Sequence, residues 1–147
     1  MTGRGETMGD IERCDFVSLI VRDIARAVRF YQETLGLPLR FVQGDAYALF
    51  QIGGTKLALQ RARAAGSDLP VAHDLVAPMP ESGVSSLLAF AVKDVDHCCA
   101  RLRERGVLIL REPVDYHWGD REFSVCDPDG HVLIFYGPPR ERPARTT

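Results

Sequence analysis

Four histidines, four cysteines, one tryptophan and 20 carboxylates are the side chains here with the clearest chemical potential. None falls into a GxSxG, P-loop or GxGxxG spacing. His73 sits in a Gly- and Pro-rich stretch, His97 on the polar side of an expected helix, and His131 just behind a turn. Only His117 has suggestive neighbours, in the run Tyr116, His117, Trp118, Gly119, Asp120. Trp118 next to a flexible glycine can stack on a ligand ring or pack on a sheet edge. A metal set of His117, Asp120 and Glu122 exists on composition alone, without a supporting ligand spacing. Acid–base chemistry without a cofactor would fall to Glu122, His117 or Tyr47. Cys14, Cys98, Cys99 and Cys126 form no CxxC. Cys98 and Cys99, adjacent on a helix, diverge by about 100° and cannot form an ordinary pair. Reduced thiols in a cytoplasmic protein are the expectation.

Composition narrows the field. A formal charge of −2 argues against a broad basic face for nucleic acid. No apolar run approaches the ~18 residues of a membrane helix. Residues 1–13 are polar, lack the apolar stretch of a secretion signal, and are expected to be disordered. The same expectation holds for the Arg-bearing tail 138–147. Residues 62–83, rich in Gly and Pro, read as a linker or a binding loop.

The elements that must position the chemistry come in two copies. Val17, Leu19 and Val21 give a strand one firmly apolar face, as do Leu88, Phe90 and Val92, offset by 71 residues. Each strand meets an aspartate, Asp23 or Asp94, suited to cap a helix. Ile24, Ala27, Val28, Tyr31 and Leu35 then share one helical face that Gly36 ends, and Val95, Cys98, Cys99 and Leu102 share another that Gly106 ends. Strands are predicted at Leu37–Val42, Ala46–Ile52 and Lys56–Gln60, and again at Val107–Arg111, Glu122–Cys126 and His131–Tyr136. The turn Asp127, Pro128, Asp129, Gly130 joins the last two. The fold class is α+β: two tandem β-α-β-β-β modules, 14–61 and 84–137, forming a single domain shaped as a cup or partly open barrel. Alternation sends Phe16, Ser18, Ile20, Lys56, Ala58, Gln60, Leu87, Ala89, Ala91, Val132, Ile134 and Tyr136 to the concave side.

Several of these residues carry a family likeness. Val21, Arg22, Asp23 and the run Arg29 to Leu37 (RFYQETLGL) resemble the first-module signature of the vicinal oxygen chelate superfamily. Trp118 to Phe123 (WGDREF) and Asp127 to Gly130 (DPDG) resemble its second-module ending. This group includes glyoxalases, bleomycin-resistance proteins and extradiol dioxygenases, and the likeness runs from about Asp15 to Tyr136. The resemblance implies a divalent metal held by His and Glu at four places. Here those places are Phe16, Ala58, Leu87 and Ile134, and none of these side chains is a metal donor. A one-residue slip brings in only Asp15 as a ligand type, and would turn that strand inside out.

The resemblance is therefore closest to the metal-free antibiotic-binding members. It implies a small-molecule binder without cofactor, sequestering an antibiotic or other aromatic metabolite in an aromatic-walled cleft shared by two subunits. The expected ligand-binding residues are Phe16, Ser18, Tyr47, Ala58, Gln60, Leu87, Trp118, Ile134 and Tyr136, with no catalytic and no metal residue. A homodimer is expected, because open strand edges and apolar surface invite a symmetric partner. The alternative is a lyase, isomerase or dioxygenase of the same superfamily with relocated active-site residues. An accessory or regulatory domain with a vestigial cup is the third reading.

Overall fold

The computed structural model describes residues 9–62 and 87–140. The expected linker and both expected disordered ends fall largely outside the described residues. Two modules follow one another. The first comprises β1 (Val17–Val21), α1 (Ile24–Val28, continued as a π-helix over Arg29–Thr34), β2 (Leu39–Gln43), β3 (Tyr47–Ile52) and β4 (Thr55–Arg61). The second comprises β5 (Leu87–Ala91), α2 (Val95–Glu104), β6 (Ile109–Asp115), β7 (Arg121–Cys126) and β8 (Val132–Gly137). Each builds a four-stranded mixed sheet, β1-β4-β3-β2 and β5-β8-β7-β6, with one parallel pair beside two antiparallel ones. Neither sheet closes into a barrel, so the fold is an open cup.

The helices start and stop where local chemistry dictates. Asp23 accepts a hydrogen bond from Arg26 N at 3.0 Å, and Asp94 accepts one from His97 N at 3.0 Å. Each carboxylate thereby satisfies one of the orphan amides of a helix start. Gly36 at φ +75° and Gly106 at φ +80° end the helices in the left-handed region, where a side chain is strained. Within the first helix, the Leu35 amide reaches back five residues to Phe30 O at 2.9 Å, an over-wide turn that inserts one extra residue.

Alternation along the strands sorts the two faces. Leu19, Val21, Ala48, Phe50, Leu57 and Leu59 pack beneath Ile24, Ala27 and Tyr31 of the first helix. Phe123, Val125, Leu133 and Phe135 pack with Val95, Cys99 and Leu102 of α2. Two strands depart from expectation by two residues or more. β2 starts at Leu39 rather than Leu37, since Leu37 N is taken by Tyr31 O at 2.9 Å. β6 spans Ile109–Asp115 rather than Val107–Arg111, carried past Pro113 by register shifts on an edge strand.

The modules lock together at the Asp127–Gly130 turn. The Tyr31 hydroxyl donates to Asp127 Oδ2 at 2.5 Å, while Asp127 Oδ1 accepts from the amides of Asp129 and His131 at 2.9 and 2.8 Å. Asp129, with a fully buried carboxylate, accepts from Arg22 N at 2.8 Å and from the Arg22 and Arg26 guanidiniums at 3.3 Å each. His131 Nε2 donates to Ile20 O at 2.8 Å, which requires the proton on that nitrogen.

Two outcomes follow from this clasp. Tyr31→Phe removes a hydrogen bond to a charged, buried acceptor and should lower stability by about 1.5–3 kcal/mol in urea unfolding. Burial first, then the Asp127 charge, hold the Tyr31 phenol far above its ordinary range. The folded chain therefore keeps this proton after the unfolded chain releases it. The stabilisation is complete below about pH 10 and falls by up to ~1.4 kcal/mol per pH unit above it. The gap between wild type and Tyr31→Phe should narrow from pH 10 upwards; a gap that widens would contradict the sign.

Candidate functional site

The sheet faces turned away from the helices hold the candidate site. On the first sheet, Ser18, Ala58, Leu49 and Phe41 lie side by side across the four strands. Ile20, Gln60, Tyr47 and Gln43 form the next row. The Tyr47 ring meets Phe16 edge-on at 6.4 Å and Phe41 at 5.8 Å, an aromatic panel on this face. Ala58 is fully buried, yet it lies outside the helix-covered core. Ser18 Oγ is buried with no hydrogen-bond partner among the described residues, a polar group left for something else to satisfy. The Tyr47 phenol is pushed up by burial first and then by the Asp15 charge, so it remains a donor at neutral pH.

On the second sheet, Ala89, Ile134, Ser124 and Arg111 make one row, and Ala91, Tyr136, Glu122 and Val114 the next. Arg111, Tyr116, Glu122, Ser124, Val132 and Ile134 line a hollow of about 100 Å³. Tyr116 stacks on Trp118 at 4.4 Å and 14°, and the Arg111 guanidinium lies 5.8 Å from the Tyr116 ring centre. Trp118 is 54% exposed, so it is not core. Its hairpin is tight rather than loose: Tyr116 N donates to Asp120 O at 2.8 Å and Gly119 N to Tyr116 O at 3.1 Å.

Ser18, Tyr47, Ala58 and Gln60 thus sit on the first sheet, with Phe16 just ahead of β1 and against Tyr47. Leu87, Ile134 and Tyr136 sit on the second, with Trp118 at its rim. Arg111, Tyr116, Ser124, Phe41 and Leu49 join these faces beyond the expected set. Leu49 is legible in the alternation of its strand. Phe41 and Arg111 are not, because register shifts in β2 and β6 break the period of two.

The metal test is chemical. Phe16, Ala58, Leu87 and Ile134 offer only carbon, so the residues do not fit the divalent ion that the fold implies. Among the described residues no group of three His, Cys, Asp or Glu side chains could hold a metal, His117, Asp120 and Glu122 included.

Comparisons with known proteins agree with this architecture. The family model described as Glyoxalase/Bleomycin resistance protein/Dioxygenase superfamily matches residues 13–135. An uncharacterized protein of Bacillus subtilis, YraH, is 33% identical over 122 residues, covering 82% of this chain and 94% of its own. A bleomycin resistance protein of Geobacillus stearothermophilus is 25% identical over 131 residues, covering 81% and 92%. A crystal structure of a glyoxalase/bleomycin resistance protein/dioxygenase from Nocardioides superposes with a TM-score of 0.70 at 23% identity, covering 93% and 91%. The chain belongs to the glyoxalase/bleomycin resistance protein/dioxygenase superfamily.

Proposed function

We propose that this chain is a metal-free small-molecule-binding protein that holds an aromatic or largely apolar ligand against its concave faces. The observation that carries the reading is the replacement of all four expected metal positions by Phe16, Ala58, Leu87 and Ile134. A face without metal donors, walled by Phe16, Tyr47 and Trp118, gains affinity from apolar contact and stacking. Ser18 Oγ, Gln60 and the Tyr47 hydroxyl supply the few polar contacts that orient such a ligand. In this reading the protein sequesters an antibiotic or aromatic metabolite in the cytoplasm. The likeness to a bleomycin resistance protein supports that choice.

The working form is a homodimer. Phe16, Phe41, Leu87, Leu110 and Val114 are exposed large apolar side chains, and a symmetric partner would cover such surface. The enzyme reading has one observation in its favour: Glu122 lies in the hollow with Arg111 and Tyr116, a carboxylate placed for acid–base work. Turnover of a bound compound that Glu122→Gln abolishes would decide for it.

Native mass spectrometry of the purified chain should show a dimer without stoichiometric metal. About one transition-metal ion per chain, retained through mild chelation, overturns the reading. Titration with bleomycin, followed by the fluorescence of the single tryptophan, should give saturable quenching without turnover. Trp118→Ala, followed by calorimetry, should weaken binding by roughly 1–3 kcal/mol, as loss of an aromatic anchor does. Its thermal midpoint should stay near that of the wild type. Unchanged affinity with a large fall in the midpoint would assign Trp118 to packing instead.

A further inference from the structure

The 71-residue repeat makes two inter-module junctions equivalent in sequence, and they are built differently. At one, the end of β1 meets the Asp127–Gly130 turn, and Tyr31, Asp127 and Asp129 fill the space. At the other, Ala91 and Val92 stand in the repeat where Ile20 and Val21 stand, and the Gly53–Gly54 turn replaces the carboxylate-bearing one. Leu102 takes the repeat position of Tyr31, and no phenol reaches across. What remains is a cleft of about 490 Å³. Leu37, Ile52 and Leu57 wall it from the first module, and Leu88, Phe90 and Cys98 from the second.

This gap explains an asymmetry in the core. Leu19 and Val21 of β1 are at most 2% exposed, whereas their repeat counterparts Phe90 and Val92 are only partly buried. The cleft is open to solvent, and its volume falls in the roughly 300–1,000 Å³ range of small-molecule sites. Among the described residues, the one charged side chain in its lining is Lys56. Its ammonium is partly exposed and already holds a carboxylate, Asp15 Oδ1, at 3.3 Å. That pairing also lowers the Asp15 pKa.

We propose that this cleft, which shares Lys56, Ala89 and Ala91 with the concave side, is a second ligand subsite for an amphiphilic monocarboxylate. The apolar body lies between the modules, and the carboxylate takes the Lys56 ammonium in place of Asp15.

The test uses the full chain with dodecanoate and methyl dodecanoate as probes. Calorimetry should give one site per chain for dodecanoate. Lys56→Met should weaken dodecanoate about three- to fivefold and leave the ester unchanged. Asp15→Asn should tighten dodecanoate about two- to threefold, since it frees the same ammonium; both changes are of the size expected for a partly exposed charge pair. Cys98→Phe, which fills the cleft, should abolish binding of both probes. Bound dodecanoate should protect Cys98, but not exposed Cys14, from N-ethylmaleimide, read peptide by peptide. This carries the test in the wild type if the phenylalanine variant does not fold.

Five results would overturn the proposal. One is no binding of dodecanoate, and a second is no protection of Cys98. Another is shifts of the same sign for Lys56→Met and Asp15→Asn. Dodecanoate binding that Trp118→Ala weakens would move the probe to the concave face. A change of oligomeric state in Cys98→Phe with dodecanoate binding intact would make a second copy of the chain the occupant.

Discussion

The turn at Asp127–Gly130 holds the molecule together. Among the described residues no hydrogen-bonded strand pair joins the two sheets, so side chains must do it. A buried carboxylate is costly unless its charge is met. Asp127 first satisfies the amides of its own turn, then turns its second oxygen to Tyr31. Asp129 turns outward to the Arg22 amide and two guanidiniums. The two acids therefore shape the hairpin and at the same time dock it onto the other module. Removing either would leave its partners facing a hole of the wrong polarity.

With the modules docked, the same period-two alternation serves both packing and binding. Leu19 and Val21 of β1 go under the helix, and Ser18 and Ile20 open onto the concave face. Ala58 marks the point where the two demands meet. Its neighbours across the rungs are Ser18 and Leu49, so a side chain that packs fully there must be small. Ala58 offers no donor atom there, and it closes the floor of the first sheet between Ser18 and Leu49.

Much of this is legible in the residues. The caps at Asp23 and Asp94, the stops at Gly36 and Gly106, and the faces of β1, β4, β5 and β8 follow from local chemistry. Less is legible where distant parts meet. Asp127 and Asp129 have the chemistry of turn formers, which they are. Nothing local says that Tyr31, 96 residues away, comes to Asp127. β6 outruns its sequence pattern, which Pro113 interrupts. An edge strand tolerates that proline, having no neighbour on one side to receive the missing amide. The Tyr116–Trp118 stack is half legible: the aromatic run is plain, but the tight turn that lays one ring on the other is not. The cleft between the modules is invisible in the sequence, since it is a property of what fails to touch.

The π-helical stretch from Arg29 to Thr34 has a consequence for how this chain can vary. It carries one residue more than an ordinary helix needs to cover the same distance. Loss of a single exposed residue such as Gln32 or Glu33 would let the ladder relax to the usual spacing. Tyr31 lies ahead of both positions, so its reach to Asp127 would be spared. Within a strand, by contrast, a one-residue deletion reverses the faces of everything beyond it. This helix can thus absorb a change in chain length while the strands that carry the binding faces stay in register.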